Sequence, residues 1–353
     1  MNMVKYYFEI IIGDVMIKDD LEIILITYNR KDFLIRTLEQ VFNDKSPIKE
    51  FQFTILDNHS DDGSSEVIEE YCKKHKNIKH IIHPHNIGGN ANIARAFEIA
   101  EKKYVWIICD DDYYNWDNWH YVEDAVNNEN YDCILVARDQ IRNTNNISDL
   151  IFQSTFLPSG IYKTSAIDDT VYRNMYDNIP NMFPHLAVST NIANTTKSFC
   201  VIPENVLING PERDKKEGKQ TADMSYIRNT DKKRLSPTAQ NMHFFIGYVN
   251  SLTLLHDKNA VMNGLRSAVA YKPFNMSMTG VFARIVQKSY KDKKSSHLYY
   301  EVACRVDFIS KCILTFFKYS PIFFYVTPKG IHVQILNTLV IRLIPFKLRN
   351  KSI

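Results

Sequence analysis

Four short strand-like runs, at 22–27 (EIILIT), 51–56 (FQFTIL), 78–83 (IKHIIH) and 104–109 (YVWIIC), alternate with three segments of helical periodicity. Residues 32–42 put Phe33, Leu34, Leu38, Val41 and Phe42 on one helical face, and 90–102 read as a helix too. Between them, Ser64 or Ser65 can cap a helix that runs to about His75. Strands in parallel need crossover connections, and helices are the usual crossovers. The alternation therefore predicts an α/β, Rossmann-like fold, a mainly parallel sheet with helices on both faces. Near-continuous apolar runs suit strands covered on both sides. In such sheets, ligands collect at the carboxyl ends of the strands.

The rest of the chain is less regular. A length of 353 residues with 45% hydrophobic content predicts one large domain with an appendage. Cys133–Ala137 reads as one more strand, followed by an Asn-rich polar loop at 138–149. The stretch 211–219 (PERDKKEGK) reads as a mobile loop, and the chain beyond it as helical and basic. These shifts divide the sequence into an extension at 1–19, a catalytic domain at 20–225 and a carboxyl-terminal region at 226–353. The catalytic domain splits further into 20–125 and 126–225.

Composition excludes several classes. No run of 18 apolar residues predicts a spanning helix. The apolar stretch Tyr6–Ile12 is broken by Glu9 and lacks a cleavage site, so it is a poor signal peptide. Six scattered cysteines without a CxxC pair suit a reduced, cytoplasmic protein. His75, His80, His83 and His85 fit no zinc spacing. From Arg284 to Ile353 there are thirteen Lys/Arg against three Asp/Glu, a net of +10 that leaves −7 on the rest, given +3 overall. A basic, aromatic tail of this kind reads as an amphipathic helix for an anionic membrane surface. Its residues form no known nucleic-acid module, so nucleic acid is not expected as a partner.

Chemistry concentrates at the strand ends. The fourth run stops in Asp110-Asp111-Asp112, three adjacent acids that repel one another and suit a hard cation such as Mn²⁺ or Mg²⁺. Taken alone, a solvated acidic turn explains them equally well. The first run ends in Thr27-Tyr28-Asn29-Arg30 and the second in Asp57-Asn58, short polar groups able to hold a base and ribose. Gly88 and Gly89 open a helix, where backbone can approach an anion, and Arg95 follows one turn on.

The ordered set LITYNR at 25–30, LDNHSDDGS at 56–64, NIGGNANIARAFEIA at 86–100 and CDDDYYN at 109–115 resembles the family 2 glycosyltransferases of GT-A fold. The resemblance covers residues 20–125. It implies a nucleotide-sugar donor, a divalent metal on a DxD-type motif, and transfer with inversion. It further implies a glycan or lipid-linked acceptor in bacterial capsule, lipopolysaccharide or surface-glycan synthesis. Carried over by position, Thr27, Tyr28 and Asn29 line the nucleotide pocket and Asp57 meets the base or ribose. The family often has two acids where this chain has Asp57-Asn58, which leaves the base preference open. The metal pair is Asp110 with Asp112 or Asp111 with Asp112.

The family's acidic pair in the second half is not evident. Candidates for the base that inverting transfer requires are His185, after a Pro-restricted turn, and behind it Asp177 and Asp168. Two other readings stand beside the transferase. A nucleotidyltransferase needs a glycine-rich loop after the first strand, and here no glycine occurs between Asp14 and Asp62. A nucleotide- or sugar-binding protein that kept the fold without turnover needs no base at all.

Overall fold

The computed structural model describes residues 17–128, 130–136, 146–179, 182–219, 247–248, 250–261, 263–264, 322–327, 330–335 and 339–345. Compactness divides the chain into two units, 1–260 and 261–353. The boundary expected at 225/226 and nearly all of the 1–19 extension lie outside the described residues.

In the first unit, β1 (Leu21–Thr27), β2 (Gln52–Asp57), β3 (Ile78–Ile82) and β4 (Tyr104–Cys109) alternate with α1 (Lys31–Val41), α2 (Ser64–Lys74) and α3 (Gly89–Glu98). These are the expected elements, with ends shifted by a few residues. The following segment carries β5 (Tyr113–Tyr114), α4 (His120–Asn127), β6 (Cys133–Leu135), α5 (Ile147–Gln153), β7 (Gly160–Lys163) and α6 (Asp169–Asn178). Then come α7 (Leu186–Asn194), β8 (Phe199–Val201), β9 (Leu207–Ile208) and α8 (Gly210–Lys216).

Seven strands form one sheet in the order β3-β2-β1-β4-β7-β6-β8. The first four run parallel, and β7 enters antiparallel beside β4. The runs of β1, β2 and β4 are buried along nearly their whole length, as expected of doubly covered strands, whereas the edge strand β3 is mostly open to solvent. Leu21, Ile23 and Leu25 of β1 pack with Leu34, Leu38 and Val41 of α1 and Ile68 of α2 on one face. Ile24, Leu56, Val105 and Ile107 meet Ala94 and Phe97 of α3, with Val171, Met175 and Val188 behind, on the other. Trp106 is fully buried and its Nε1 donates to the Pro158 carbonyl at 2.8 Å, tying β4 to the segment before β7. Truncating a buried aromatic of this kind costs about 3–5 kcal/mol. Trp119 stacks on Trp106, and Trp116 stacks on Tyr114 with the rings 4.8 Å apart, so both aromatics serve packing.

One carboxylate starts two helices. Asp62 Oδ2 accepts from the Lys31 amide at 2.9 Å, and its Oδ1 accepts from the amide and hydroxyl of Ser64. These satisfy first-turn donors that α1 and α2 leave without intrahelical partners. The φ of +88° at Gly63 makes the reversal between them, a conformation that glycine adopts without strain.

Two expectations are corrected. Residues 210–216 of the charged stretch form α8, not a loop, because its Asp214 is fully buried against Arg36. In the second unit, β10 (Ile322–Thr327), β11 (Gly330–Ile335) and β12 (Leu339–Pro345) form an antiparallel three-stranded sheet where a helix was expected. Their sequences, IFFYVT, GIHVQI and LVIRLIP, are rich in aromatic and β-branched residues, which fit a pleated surface better than a helix. The rest of the expected membrane-binding helix lies outside the described residues.

Candidate active site

Register aligns the chemistry. Thr27 pairs with Asp57 and Ile26 with Cys109, so the carboxyl ends of β2, β1 and β4 sit side by side. Strand order reverses between β1 and β4, the switch point at which α/β sheets open a crevice. A cleft of about 350 Å³, counting its open mouth, lies there, lined by Ile26, Thr27, Tyr28, Arg30, Asn58, Gly89, Asn92, Cys109 and Asp110. Thr27, Tyr28, Asn58, Gly89 and Asp110 were expected at one site, and the structure brings them together. Arg30 was named only as part of the first strand end, and Asn92 and Cys109 were not singled out.

The three acids are not equivalent. Asp110 is held by the Thr27 hydroxyl at 2.7 Å and by Arg30 Nη1 at 2.8 Å. The same Arg30 nitrogen reaches Asp111 Oδ2 at 3.1 Å. Asp112 accepts from the Gly210 amide at 2.9 Å through Oδ1, while its buried Oδ2 has no partner among the described residues. Burial raises the Asp111 carboxyl to about 6, against the pull of Arg30. Burial and then the Asp111 charge push Asp112 well above the usual carboxylate range. A buried carboxylate with an orphaned oxygen is a site that lacks a positive partner.

The fit to a divalent cation follows from that orphan. One ligand atom each from Cys109, Asp111 and Asp112 lies within 4.8 Å of the others. Carboxylate oxygens suit Mg²⁺ or Mn²⁺. The thiol is a softer donor that burial keeps protonated. Asp110, by contrast, is already neutralised by Arg30.

Helix α1 fixes the backbone of the acid turn. Thr37 Oγ1 donates to the Asp110 carbonyl at 2.9 Å, Arg36 Nη2 to that of Asp111 at 2.7 Å, and Gln40 Nε2 to that of Asp112 at 3.1 Å. Three consecutive carbonyls are thus read by one helix face. Gly210 approaches from the other side so closely that a Cβ there would lie 1.6 Å from the Asp111 carbonyl oxygen. None of these four residues was singled out from sequence, because their roles depend on elements distant in the chain.

Of the other expected residues, Asp57 and Asn29 brace rather than line the cleft, and Asn58, which lines it, braces it too. Asp57 is fully buried and accepts from Ser60 and Ser65 hydroxyls, each at 2.6 Å. Burial alone would raise its carboxyl, but hydrogen bonds from His80, Ser60 and Ser65 outweigh it and hold it below the ordinary value. Asn58 donates to Asn86 Oδ1 and accepts from the Ile87 amide, both at 2.9 Å. It therefore holds the turn before Gly88, whose φ of +87° lets α3 begin at Gly89. Asn29, at φ 49°, donates from Nδ2 to the Asp61 carboxylate and accepts from the Asp61 amide at Oδ1, which locks the first two strand-end loops together. Arg95 is a correction. It is exposed and pairs with Glu98 at 2.6 Å along its own helix, away from the lining of the cleft.

The three candidate bases part company. His185 is 1% exposed, with Nε2 on the Ser154 carbonyl at 2.9 Å, and burial lowers its pKa to about 4. It is packed at the start of α7 and does not line the cleft. Asp168 caps α6 by accepting from the amides of Thr170 and Val171. Asp177 is exposed on the last turn of α6 and has no side-chain partner among the described residues. Two residues on, the Ile179 carbonyl accepts from Asn90 Nδ2 at 2.7 Å, which sets the end of α6 beside the start of α3.

Comparison with known proteins finds similarity to glycosyltransferases. A poly(ribitol-phosphate) beta-glucosyltransferase of Bacillus spizizenii is 29% identical over 94 residues, 26% of this chain and 15% of that protein. An uncharacterized glycosyltransferase of Methanocaldococcus jannaschii is 34% identical over 99 residues, 28% of this chain and 33% of its own length. The matched stretches thus span a third or less of these relatives. Among solved structures, S. aureus TarS in complex with UDP-GlcNAc aligns at a TM-score of 0.45 and 14% identity, covering 90% of this chain and 97% of that one. A mannosyltransferase of Pyrobaculum calidifontis in complex with GDP-Man and Mn²⁺ aligns at 0.41 and 13% identity, covering 85% and 88%. The family model of Glycosyl transferase family 2 matches residues 22–187, from the first strand to the first turn of α7. Over those residues, the chain is similar to the family 2 glycosyltransferases.

Proposed function

We propose that the protein transfers a sugar from a nucleotide-sugar donor to a glycan or lipid-linked acceptor, with inversion and with Mn²⁺ or Mg²⁺ as cofactor. One observation carries the reading: a cleft at the β1/β4 switch point, walled by Thr27, Tyr28, Asn58 and Gly89, that ends on the acid turn. In this reading, Thr27, Tyr28 and Gly89 contact the nucleotide, while Asn29, Asp57, Asn58 and Gly88 hold the loops that shape its pocket. Asp112, with Asp111 beside it, holds the cation, and Asp110 stays with Thr27 and Arg30. A divalent cation bound there neutralises charge on the departing diphosphate.

Chemically, the acceptor hydroxyl oxygen forms a bond to the anomeric carbon as the bond to the diphosphate breaks. Its proton passes to a carboxylate on the acceptor side. Asp168 and Asp177 are both exposed, but Asp168 caps α6 and Asp177 has no other task among the described residues, so Asp177 is assigned the base. His185 and Asp168 are assigned structural roles.

One relative supports the acceptor class. The B. spizizenii relative is named for poly(ribitol-phosphate), which supports a surface polymer of capsule, lipopolysaccharide or related type as acceptor. No helix among the described residues is long and apolar enough to cross a membrane. The net of +10 from Arg284 onward supports peripheral contact with the anionic inner face of the cell membrane.

Donor hydrolysis and transfer with a panel of UDP-, GDP-, CMP- and dTDP-sugars, with and without Mn²⁺, test the reading. Turnover of at least one donor, lost on metal removal and in Asp177→Asn, is expected. A second reading, a nucleotide-sugar-binding protein without turnover, is favoured by the absence of all three candidate bases from the cleft lining. Binding of a donor with no hydrolysis or transfer across the panel would establish it.

A further inference from the structure

Helix α8 is joined to the acid turn at two points. Its first residue, Gly210, caps Asp112, and its Asp214 accepts from Arg36 Nη1 at 3.0 Å and from the Tyr113 hydroxyl at 2.6 Å. Asp214 is fully buried, so its charge depends on Arg36 for compensation. Arg36 also donates to the Asp111 carbonyl and to the Tyr113 hydroxyl. The Tyr113 ring carries two guanidinium groups, those of Arg36 and Arg213, each 4.3 Å from its centroid. One residue of α1 therefore ties the acid turn, β5 and α8 into a single unit.

We propose that Arg36 and Asp214 are positioning residues, a part-buried latch that clamps α8 onto the acid turn and holds Asp111 and Asp112 in register for a divalent cation. The proposal rests on the metal-site reading above. With the latch closed, Gly210 occupies Oδ1 of Asp112 and Oδ2 alone is left to face the ion. With it open, the Asp111 carbonyl loses Arg36, Asp112 loses its amide cap, and both carboxylates gain freedom. Neither Arg36 nor Asp214 lines the cleft, so an effect of their substitution on ion binding reaches the site through the turn.

The probe is Mn²⁺, alone and with UDP or GDP present, followed by the electron paramagnetic resonance signal of unbound ion. Arg36→Gln and Asp214→Asn are compared with Met175→Ala, a core truncation on the opposite face of the sheet. Trypsin cleavage within 213–219, mapped by mass spectrometry, reports the order of α8. Partners that orient metal ligands are worth about 10–100-fold in affinity. Expected are Mn²⁺ affinity at least ~10-fold weaker and faster cleavage in both latch variants, with Arg36→Lys intermediate. Met175→Ala at a matched loss of melting temperature should change neither. Wild-type binding with latch variants no weaker than Met175→Ala overturns the latch alone. A wild-type protein that binds Mn²⁺ under none of these conditions overturns the metal site and the latch with it. Should the glutamine variant not fold, Arg36→Lys and Asp214→Asn carry the comparison.

Discussion

Arg30 Nη1 stands 2.8 Å from Asp110 and 3.1 Å from Asp111, a single guanidinium nitrogen between two buried carboxylates. The chain thereby neutralises part of its acid turn internally and leaves Asp112 as the member that lacks a cation.

Replacing Arg30 with Met strands two carboxylates, and removing one partner of a buried ion network costs about 3–5 kcal/mol. The melting temperature of Arg30→Met should fall accordingly, and millimolar Mn²⁺ should recover more of it than it adds to the wild type. An equal Mn²⁺ increment in both proteins, read by differential scanning fluorimetry, would sink the idea that Arg30 stands in for cationic charge.

Asp112→Asn keeps an oxygen for the Gly210 amide and removes a buried ionisable carboxyl whose second oxygen has no partner among the described residues. Stability at neutral pH should hold or rise, while Mn²⁺ affinity drops by on the order of 100-fold, equivalent to roughly 3 kcal/mol. Calorimetric titration decides it. Retained Mn²⁺ affinity would move the metal assignment elsewhere.

Alanine at Gly210 brings a methyl into the Asp111 carbonyl oxygen, 1.6 Å from the built position. Either α8 or the turn must shift, and overpacking of this kind costs about 1–3 kcal/mol or more. Gly210→Ala should lose both stability and Mn²⁺ binding. Alanine at Gly218, where nothing lies within 4 Å of the added methyl, should leave Mn²⁺ binding intact. Loss of binding in the Gly218 variant, or its retention in Gly210→Ala, would contradict the close approach as the cause.

His185 is neutral in the fold, its pKa lowered by burial from 6.5 to about 4. In the window between those values, the unfolded chain binds the proton and the folded one does not. Stability from this group is therefore complete above about pH 6.5 and is lost as pH falls toward 4, by on the order of 3 kcal/mol. Urea midpoints of His185→Gln at pH 7 and pH 4.5 should differ less than those of the wild type. An identical drop in both would show that other groups set the acid limb.

The donor half of the fold was legible because its signals are local. Apolar runs such as 104–109, the Gly88-Gly89 pair and the acids at 110–112 lie within a few residues of the structure they specify. Parallel register then places Thr27, Asp57 and Cys109 side by side without further information. What escaped is non-local. The segment PERDKKE carries the charge density of a loop, yet it is a helix anchored by distant contacts such as Arg36–Asp214, 178 positions apart in sequence. His185 looked like a base because its pKa suits the task, yet its neighbours Leu186 and Val188 draw it into the core. Asp57 and Asn58 carried the right chemistry for a ligand, but their loop consumes that chemistry in its own hydrogen bonds.

The cap on Asp112 comes from a residue 98 positions later in the chain. On a ribosome adding roughly 5–20 residues per second, that separation is a delay of about 5–20 s. Throughout this interval, the nascent chain carries a complete set of donor-side strands but an acid turn with neither its amide partner nor its latch. Birth order thus makes completion of the turn one of the late events in the biogenesis of this domain.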